Sequence, residues 1–131
     1  MFGRTEVQWE QLVAETVVFL EERAATEGRV TYTDLNRALV ERTGQLPFDF
    51  SEVADRSAVG ELLGEAVDRT WPDVQAMISA IMYQKGTNDP GPGFYALAAH
   101  RGLLTPNPNN DQKTEFWLGQ LNKVRAHYGA S

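Results

Sequence analysis

The chain has 131 residues, 42% of them hydrophobic and 23% charged, which suits one globular domain with its own core. It contains no cysteine, so disulfides, thiolate metal sites and cysteine nucleophiles are excluded, in keeping with a reducing compartment. The net charge of −6 is concentrated in residues 1–70, where 14 acidic side chains oppose 7 basic ones, and this disfavours nucleic acid as a direct ligand. The N-terminal residues lack a signal pattern, and no apolar run could span a membrane, so we expect a soluble, cytoplasmic protein without membrane contact.

A first amphipathic helix is predicted from Thr5 to about Thr26. Thr5 and Gln8 match a capping box, and a stripe with apolar character follows at helical spacing: Trp9, Leu12, Val13, Thr16, Val17 and Leu20. Three carboxylates, those of Glu6, Glu10 and Glu21, lie along one edge of this stripe and are candidate partner-binding groups. The alternative is an acidic, solvated surface that only keeps the protein soluble.

Two more helices are predicted between residues 30 and 72. A β-prone bridge, Val30–Tyr32, precedes a helix capped by Thr33 that covers residues 34–42 and ends at Gly44. A loop at residues 45–50 is expected to place its apolar residues, Leu46, Phe48 and Phe50, against the core.

Residues 51–55 are expected to form a turn of helix. Ser57 is expected to cap the next helix, which runs through Asp68 and is ended by Thr70–Pro72. Gly60 and Gly64 lie four residues apart on it. Because each glycine lowers helix propensity, we expect close packing against a neighbouring element to compensate.

The segment Gln75–Gln84 is the predicted central strand, since it is short, almost entirely apolar and bounded by turn residues. A strand without polar alternation is typical of one that is covered on both faces.

The loop of residues 85–93 contains two prolines and three glycines, which predicts a stiff, preorganised turn. Its polar side chains, Lys85, Asn88 and Asp89, are candidate partner-binding groups and are expected to contribute little to packing. The alternative is that the loop only positions Phe94 in the core.

A short helix from Phe94 to Gly102 is predicted next, followed by a polar connector at residues 105–110. The last helix should begin at a cap formed by Asn110 or Asp111 and run to about Tyr128.

Motifs for catalysis and cofactor binding are missing from the sequence. His100 and His127 each stand alone, without the spacing of a metal site, and no GxSxG, P-loop or GxGxxG motif occurs. Pro72-Asp73 followed by Lys85 has a distant similarity to the PD…(D/E)xK pattern of nucleases, but Tyr83 occupies the position of the required acid. The sequence therefore predicts no catalytic, metal-binding or cofactor-binding residue.

Four segments resemble a group of small, mostly uncharacterised bacterial and phage proteins that share a PGxGF loop: Thr31–Leu35, Val59–Leu63, Ile78–Ile81 and Pro90–Phe94. A similar module precedes nuclease domains in some restriction-type proteins. The resemblance covers about residues 30–103 and implies an accessory or interaction module in a phage or host-defence setting, with no catalytic residue. The chain departs from the pattern at Asn88-Asp89 and in its acidic N-terminal half.

These elements predict one α-rich α+β domain over residues 1–131, with about five helices packed on a small sheet whose central strand lies near residues 76–83. A winged-helix-like shape is an open alternative. The expected function is non-enzymatic: a regulatory protein that binds a protein partner and needs no cofactor. A nucleic-acid-associated accessory module is the second hypothesis, although the acidic charges of the second and third helices do not suit DNA. A nuclease or other hydrolase is the third.

Overall fold

The computed structural model describes residues 2–26 and 28–129. Its helices are α1 (Glu6–Ala25), α2 (Tyr32–Thr43), α3 (Val53–Val74), α4 (Pro92–His100) and α5 (Asn110–His127). A two-stranded sheet is formed by β1 (Val30–Thr31) and β2 (Met82–Tyr83), and a 3₁₀ turn, Ile78–Ile81, leads directly into β2. The α-rich α+β class predicted from the sequence is confirmed.

Helix α1 begins at the predicted capping box, where the Thr5 hydroxyl accepts from the Gln8 N–H at 3.0 Å. Its apolar stripe packs against α2 and α3, and Leu12, Val13 and Leu20 are fully buried. The helix therefore contributes a large share of the core, as its periodicity indicates.

Helix α2 begins two residues earlier than predicted, so the assignment of Thr33 as its cap is wrong. The cap is Thr31, whose hydroxyl accepts from the Asp34 N–H at 3.0 Å while the Asp34 carboxylate accepts from the Thr31 N–H at 3.3 Å. Three positions after Thr31 stands Asp34, whose carboxylate can accept from the N–H of the cap residue. Three positions after Thr33 stands Asn36, whose side chain is bonded to the backbone of Phe48 instead. The predicted end at Gly44 is confirmed, with φ at 72°.

Helix α3 is longer at both ends than predicted. It begins at Val53 rather than at Ser57, and it continues through Pro72 to Val74. Pro72 has no N–H and therefore cannot bond to the carbonyl four residues earlier. Because Pro72 lies in the last turn, only the final residues of the helix follow this missing bond. The buried Val74 anchors that turn on the core.

The expected close packing at Gly60 and Gly64 is also wrong. A Cβ added at either position would meet no atom within 4 Å. These glycines leave open space beside α3 instead of admitting a neighbour.

The buried segment before β2 is the main difference from the predicted architecture. Residues 76–82 are all buried, as expected, but only Met82–Tyr83 forms a strand. Its partner β1 is just two residues long because α2 begins immediately afterwards, so most of the segment has no ladder to join.

The segment satisfies its buried backbone in other ways. The Ala80 N–H donates to the Met77 carbonyl at 3.0 Å within the 3₁₀ turn. Side chains of α5 supply two more bonds: the Met77 N–H donates to Gln120 Oε1 at 2.8 Å, and Trp117 Nε1 donates to the Ala80 carbonyl at 2.8 Å.

The two connecting segments differ in detail from expectation. Phe48 is buried, and Phe50 packs at the core edge, but Leu46 is 82% exposed, so its predicted core contact is wrong. The cap of α5 is Asn109, one residue before the predicted position, and its side chain accepts from the Gln112 N–H at 2.8 Å.

The strands pair in parallel, with Val30 opposite Met82 and Thr31 opposite Tyr83. Helices α2 and α3 form the crossover between them. A wing is a hairpin of antiparallel strands, so the structure does not confirm the winged-helix-like shape. Across residues 2–26 and 28–129, no helix combines the length and apolar character needed to cross a membrane.

Candidate functional site

A surface cleft of about 590 Å³ lies where α3, the amino ends of α2 and α4, and the residues after β2 meet. We call this feature the cleft. Its volume falls in the range of sites that bind a small ligand or a few side chains of a partner.

One wall of the cleft is a single stripe of α3. Arg56, Val59, Gly60 and Leu63 follow the spacing that places side chains on one face of a helix. Val59 and Leu63 are buried, whereas Gly60 is exposed and has open space where a side chain would stand. The missing side chain at Gly60 thus helps to keep the cleft open.

The opposite wall is formed by the 85–93 loop and the first turns of α4. Pro90, Pro92 and Gly93 lead into Phe94, which is buried, and Leu97 extends the same apolar wall. Phe94 is buried, as expected, and the loop also borders the cleft. The partner-binding role of the loop stays a prediction.

Tyr32 joins the two sides of the cleft. Its hydroxyl donates to the Pro90 carbonyl at 3.1 Å, and its ring meets that of Phe50 edge-on at 6.3 Å between centroids. Burial raises the pKa of the Tyr32 hydroxyl, and the nearby Asp89 carboxylate raises it further. The hydroxyl consequently stays protonated and keeps donating to the loop.

The loop is held by its own hydrogen bonds. The Gln84 N–H donates to the Asp89 carbonyl at 2.8 Å, and the Asn88 N–H donates back to the Gln84 carbonyl at 3.1 Å. Gly91 adopts φ of 96°, and a Cβ there would lie 2.8 Å from Gln84 Nε2. The positive φ favours glycine at this position, whereas the contact involves the end of an exposed, flexible side chain that is free to shift.

The predicted partner-binding residues of this loop have different environments. Lys85 is exposed and lines the cleft. Asn88 is exposed with φ of 57°, and its carbonyl accepts from Arg29 Nη2 at 3.0 Å. Asp89 Oδ1 accepts from the Tyr95 hydroxyl at 2.9 Å and from the Gly91 N–H at 3.3 Å. The expectation that all three side chains contribute little to packing is wrong for Asp89, which holds the loop to α4.

The predicted acidic residues of α1 do not line the cleft. Glu6 is exposed, while Glu10 forms an ion pair with Arg69 of α3, which lowers the pKa of the Glu10 carboxyl. Glu21 accepts from the Tyr128 hydroxyl at 2.8 Å and so ties α1 to α5. Glu6 and Glu21 are also separated by about 22 Å along the helix, so they cannot act as one compact site.

Electrostatics distinguish the cleft from the rest of this acidic protein. Among the described residues that line it, Arg56 and Lys85 are the charged ones, and neither is acidic. The first residues of α4 also line the cleft, and helix amino ends carry partial positive charge. The amino end of α2 reaches the cleft too, but its charge is already met by the Asp34 carboxylate. The cleft therefore favours a negatively charged group.

Ser79, in the 3₁₀ turn, lines the cleft and was not predicted as a functional residue. It is only 4% exposed, and its Oγ is buried without a hydrogen-bond partner. Sequence reasoning missed Ser79 because it lies within an apolar run, and only the folded structure shows that its hydroxyl is unsatisfied. Gly60 did carry a signal: a glycine on an otherwise apolar helical stripe marks either close packing or a gap.

Within the described parts of the chain, no three His, Asp or Glu side chains are close enough together to hold a metal ion. His100 and His127 lie exposed on α4 and α5, respectively.

No protein-family model, curated protein or solved structure matches this chain, and its function is therefore inferred from the cleft itself.

Proposed function

We propose that this chain is a non-enzymatic, cytoplasmic regulatory protein that acts by binding a protein partner, and that the cleft receives a segment of that partner. The observation that carries the proposal is a preformed cleft of about 590 Å³ with apolar walls on rigid elements. The phage or host-defence setting implied by the PGxGF loop is part of this proposal.

The rim of the cleft favours a ligand that belongs to a larger body. The cleft is a groove on the surface rather than an enclosed chamber, because five of its lining residues are exposed: Arg56, Gly60, Lys85, Pro92 and Gly93. A protein segment can enter such a groove while the rest of the partner stays outside.

The stiffness of the 85–93 loop supports a role in binding a partner. Tyr32, Asp89 and the backbone of Gln84 already fix the 85–93 loop, so little of its conformational freedom remains to be lost when a partner binds. Lys85 is the predicted partner-binding residue with the most direct access to the cleft. Roles for Asn88, Asp89, Glu6, Glu10 and Glu21 stay predictions.

A Gly60→Leu variant tests this proposal, because the leucine side chain would occupy the cleft without displacing any atom near its Cβ. Gly119→Leu is the matched control, since Gly119 lies on the exposed face of α5 and also has open space around it. Each change replaces a helical glycine, so each should raise stability by up to about 1 kcal/mol.

Affinity purification from the native cell, followed by binding measurements with the purified partner, provides the comparison. We expect the wild type and Gly119→Leu to retain the same partner and Gly60→Leu to lose it while remaining folded. Equal retention by all three proteins would show that the cleft is not the binding site, and the exposed Glu6 on α1 would become the next candidate.

A further inference from the structure

The charge of the cleft is opposite in sign to that of the protein. The chain carries 18 acidic side chains and 12 basic ones, yet the described lining of the cleft includes Arg56 and Lys85 and no carboxylate. The nearest acidic group on the loop, Asp89, does not line the cleft. Its carboxylate accepts from Tyr95 and Gly91, but these neutral donors do not remove its charge, which also raises the pKa of Tyr32 at the cleft wall. An anionic group entering the cleft would meet two cations and no fixed negative charge on its walls.

The amino end of α4 reinforces this preference, whereas that of α2 is already occupied by its Thr31–Asp34 capping box. Pro92 and Gly93 of α4 line the cleft, and this end has no side-chain cap. Pro92 has no N–H and the Phe94 N–H donates to the Gly91 carbonyl at 3.3 Å, so Gly93 supplies the N–H of the first turn that is left for a ligand. Carboxylates bind well to such ends because the N–H groups and the helix dipole act together.

Ser79 provides independent evidence that a ligand belongs here. Its hydroxyl is buried and has no partner, which folded proteins generally avoid. A bound ligand that offers an acceptor oxygen would satisfy it, and a carboxylate has several acceptor positions.

The apolar walls of the cleft indicate that the ligand also has an apolar part. Tyr32, Phe50, Leu63 and Phe94 provide aromatic and aliphatic surface beside the cations. A ligand that used only a charge would leave this surface exposed to water, whereas an apolar side chain next to a carboxylate would cover it.

We infer that the partner segment is acidic and apolar: a carboxylate beside an aromatic or aliphatic side chain, the carboxylate meeting Arg56, Lys85 and the amino end of α4. This inference rests on the proposed function, because it names the chemistry of the segment that the cleft receives.

Selection from a random short-peptide library against the full chain tests the inference. We expect enriched peptides to place Asp or Glu beside Phe, Tyr, Leu or Ile and to be lost with Gly60→Leu. Enrichment of neutral or basic peptides that Gly60→Leu still abolishes would overturn the acidic assignment and leave the proposed function standing. If nothing is enriched beyond the level seen with Gly60→Leu, both are overturned.

Substitutions then locate the charge recognition on an enriched acidic peptide. Arg56→Gln with Lys85→Gln should weaken its binding at least about tenfold, whereas the charge-matched Arg37→Gln with Lys123→Gln, at exposed positions outside the cleft, should not. Equal weakening by both pairs would mean that only net charge matters and would overturn the inference.

Ser79→Ala is the most specific variant, because it removes a hydroxyl that makes no hydrogen bond within the protein. We expect unchanged or higher stability together with several-fold weaker peptide binding. Unchanged binding would remove Ser79 from the site. Free phenylpropionate should compete only weakly with the peptide. If it bound as tightly as the peptide does, the ligand would be a small carboxylic acid rather than a protein segment.

Discussion

At the level of single residues, Asp89 connects the loop beside the cleft to α4. Its Oδ1 accepts from the Tyr95 hydroxyl at 2.9 Å, and Tyr95 is itself buried. A buried hydroxyl bonded to a carboxylate is strongly held in its protonated form, since burial raises the pKa of Tyr95 far above its ordinary value of 10.0 and the Asp89 carboxylate raises it further.

Tyr95 makes the stability of the fold depend on pH in alkaline solution. Because the pKa of Tyr95 is raised in the folded state, its contribution is fully present below pH 10 and is lost as pH rises beyond that value, where the unfolded chain releases the proton first. Tyr95→Phe should lower the free energy of unfolding by about 1 kcal/mol near neutral pH through the lost hydrogen bond.

The same variant should lose less stability than the wild type when the pH is raised from 9 to above 10. One such proton contributes a slope of at most about 1.4 kcal/mol per pH unit. Denaturant unfolding across this pH range, followed by circular dichroism, measures the difference. Parallel curves for the two proteins would show that Tyr95 is not protected from ionisation in the fold.

At the level of elements, the helices followed from the sequence more closely than the segment between α3 and β2. The apolar run of residues 76–82 correctly predicted burial, because burial depends on composition. It could not predict the strand length, since a strand needs a partner, and β1 is cut short by the cap of α2 at Thr31. Side chains of Gln120 and Trp117 then bond to the backbone of this segment. These bonds join residues far apart in the chain, so no local sequence pattern predicts them.

The cleft was predictable only in part for a related reason. Lys85 and the stiff loop are visible as residue types in the sequence, and both border the cleft. Ser79 and Gly60 can be recognised only in the folded structure. The Ser79 hydroxyl has no hydrogen-bond partner, and a Cβ at Gly60 would have no neighbour. A sequence shows which groups are present, but an unfilled space arises only when several elements have packed.

Gln120 provides a test of how α5 is attached to the 3₁₀ turn. Its side chain is 7% exposed, and Oε1 accepts from the Met77 N–H at 2.8 Å. Gln120→Leu would make the core more apolar but leave that buried N–H unsatisfied. We therefore expect a loss of about 1–3 kcal/mol in the free energy of unfolding.

Asn122→Leu is the control for Gln120→Leu, because it adds a leucine at an exposed position of the same helix. We expect a change within about 0.5 kcal/mol there. Thermal or urea unfolding of both variants decides the matter. If Gln120→Leu is as stable as the wild type, the Met77 N–H finds another acceptor and the bond from α5 is dispensable.

At the level of the whole molecule, an acidic chain carries a cleft whose two charged lining residues are basic. Residues 1–70 carry 14 acidic and 7 basic side chains, and several of the basic ones are engaged in ion pairs, as in Arg42 with Glu22 and Arg69 with Glu10. A long polyanion would be attracted by two cations in the cleft but repelled by the net negative charge of the protein. A short acidic segment avoids most of that repulsion, which favours a peptide over a nucleic acid.

The last prediction follows from this charge distribution. The protein should not bind duplex or single-stranded DNA measurably at physiological salt, because affinity for DNA comes largely from neutralised phosphates and the cleft offers only Arg56 and Lys85. Any binding at low salt should weaken as the salt concentration rises, with the shallow slope expected for about two phosphate contacts. The double variant Arg56→Gln with Lys85→Gln should not bind DNA even at low salt. Fluorescence anisotropy with labelled oligonucleotides at several salt concentrations measures both. Micromolar binding at physiological salt with a steep salt slope would instead favour the nucleic-acid-associated module, since that slope would require more basic contacts than the cleft contains.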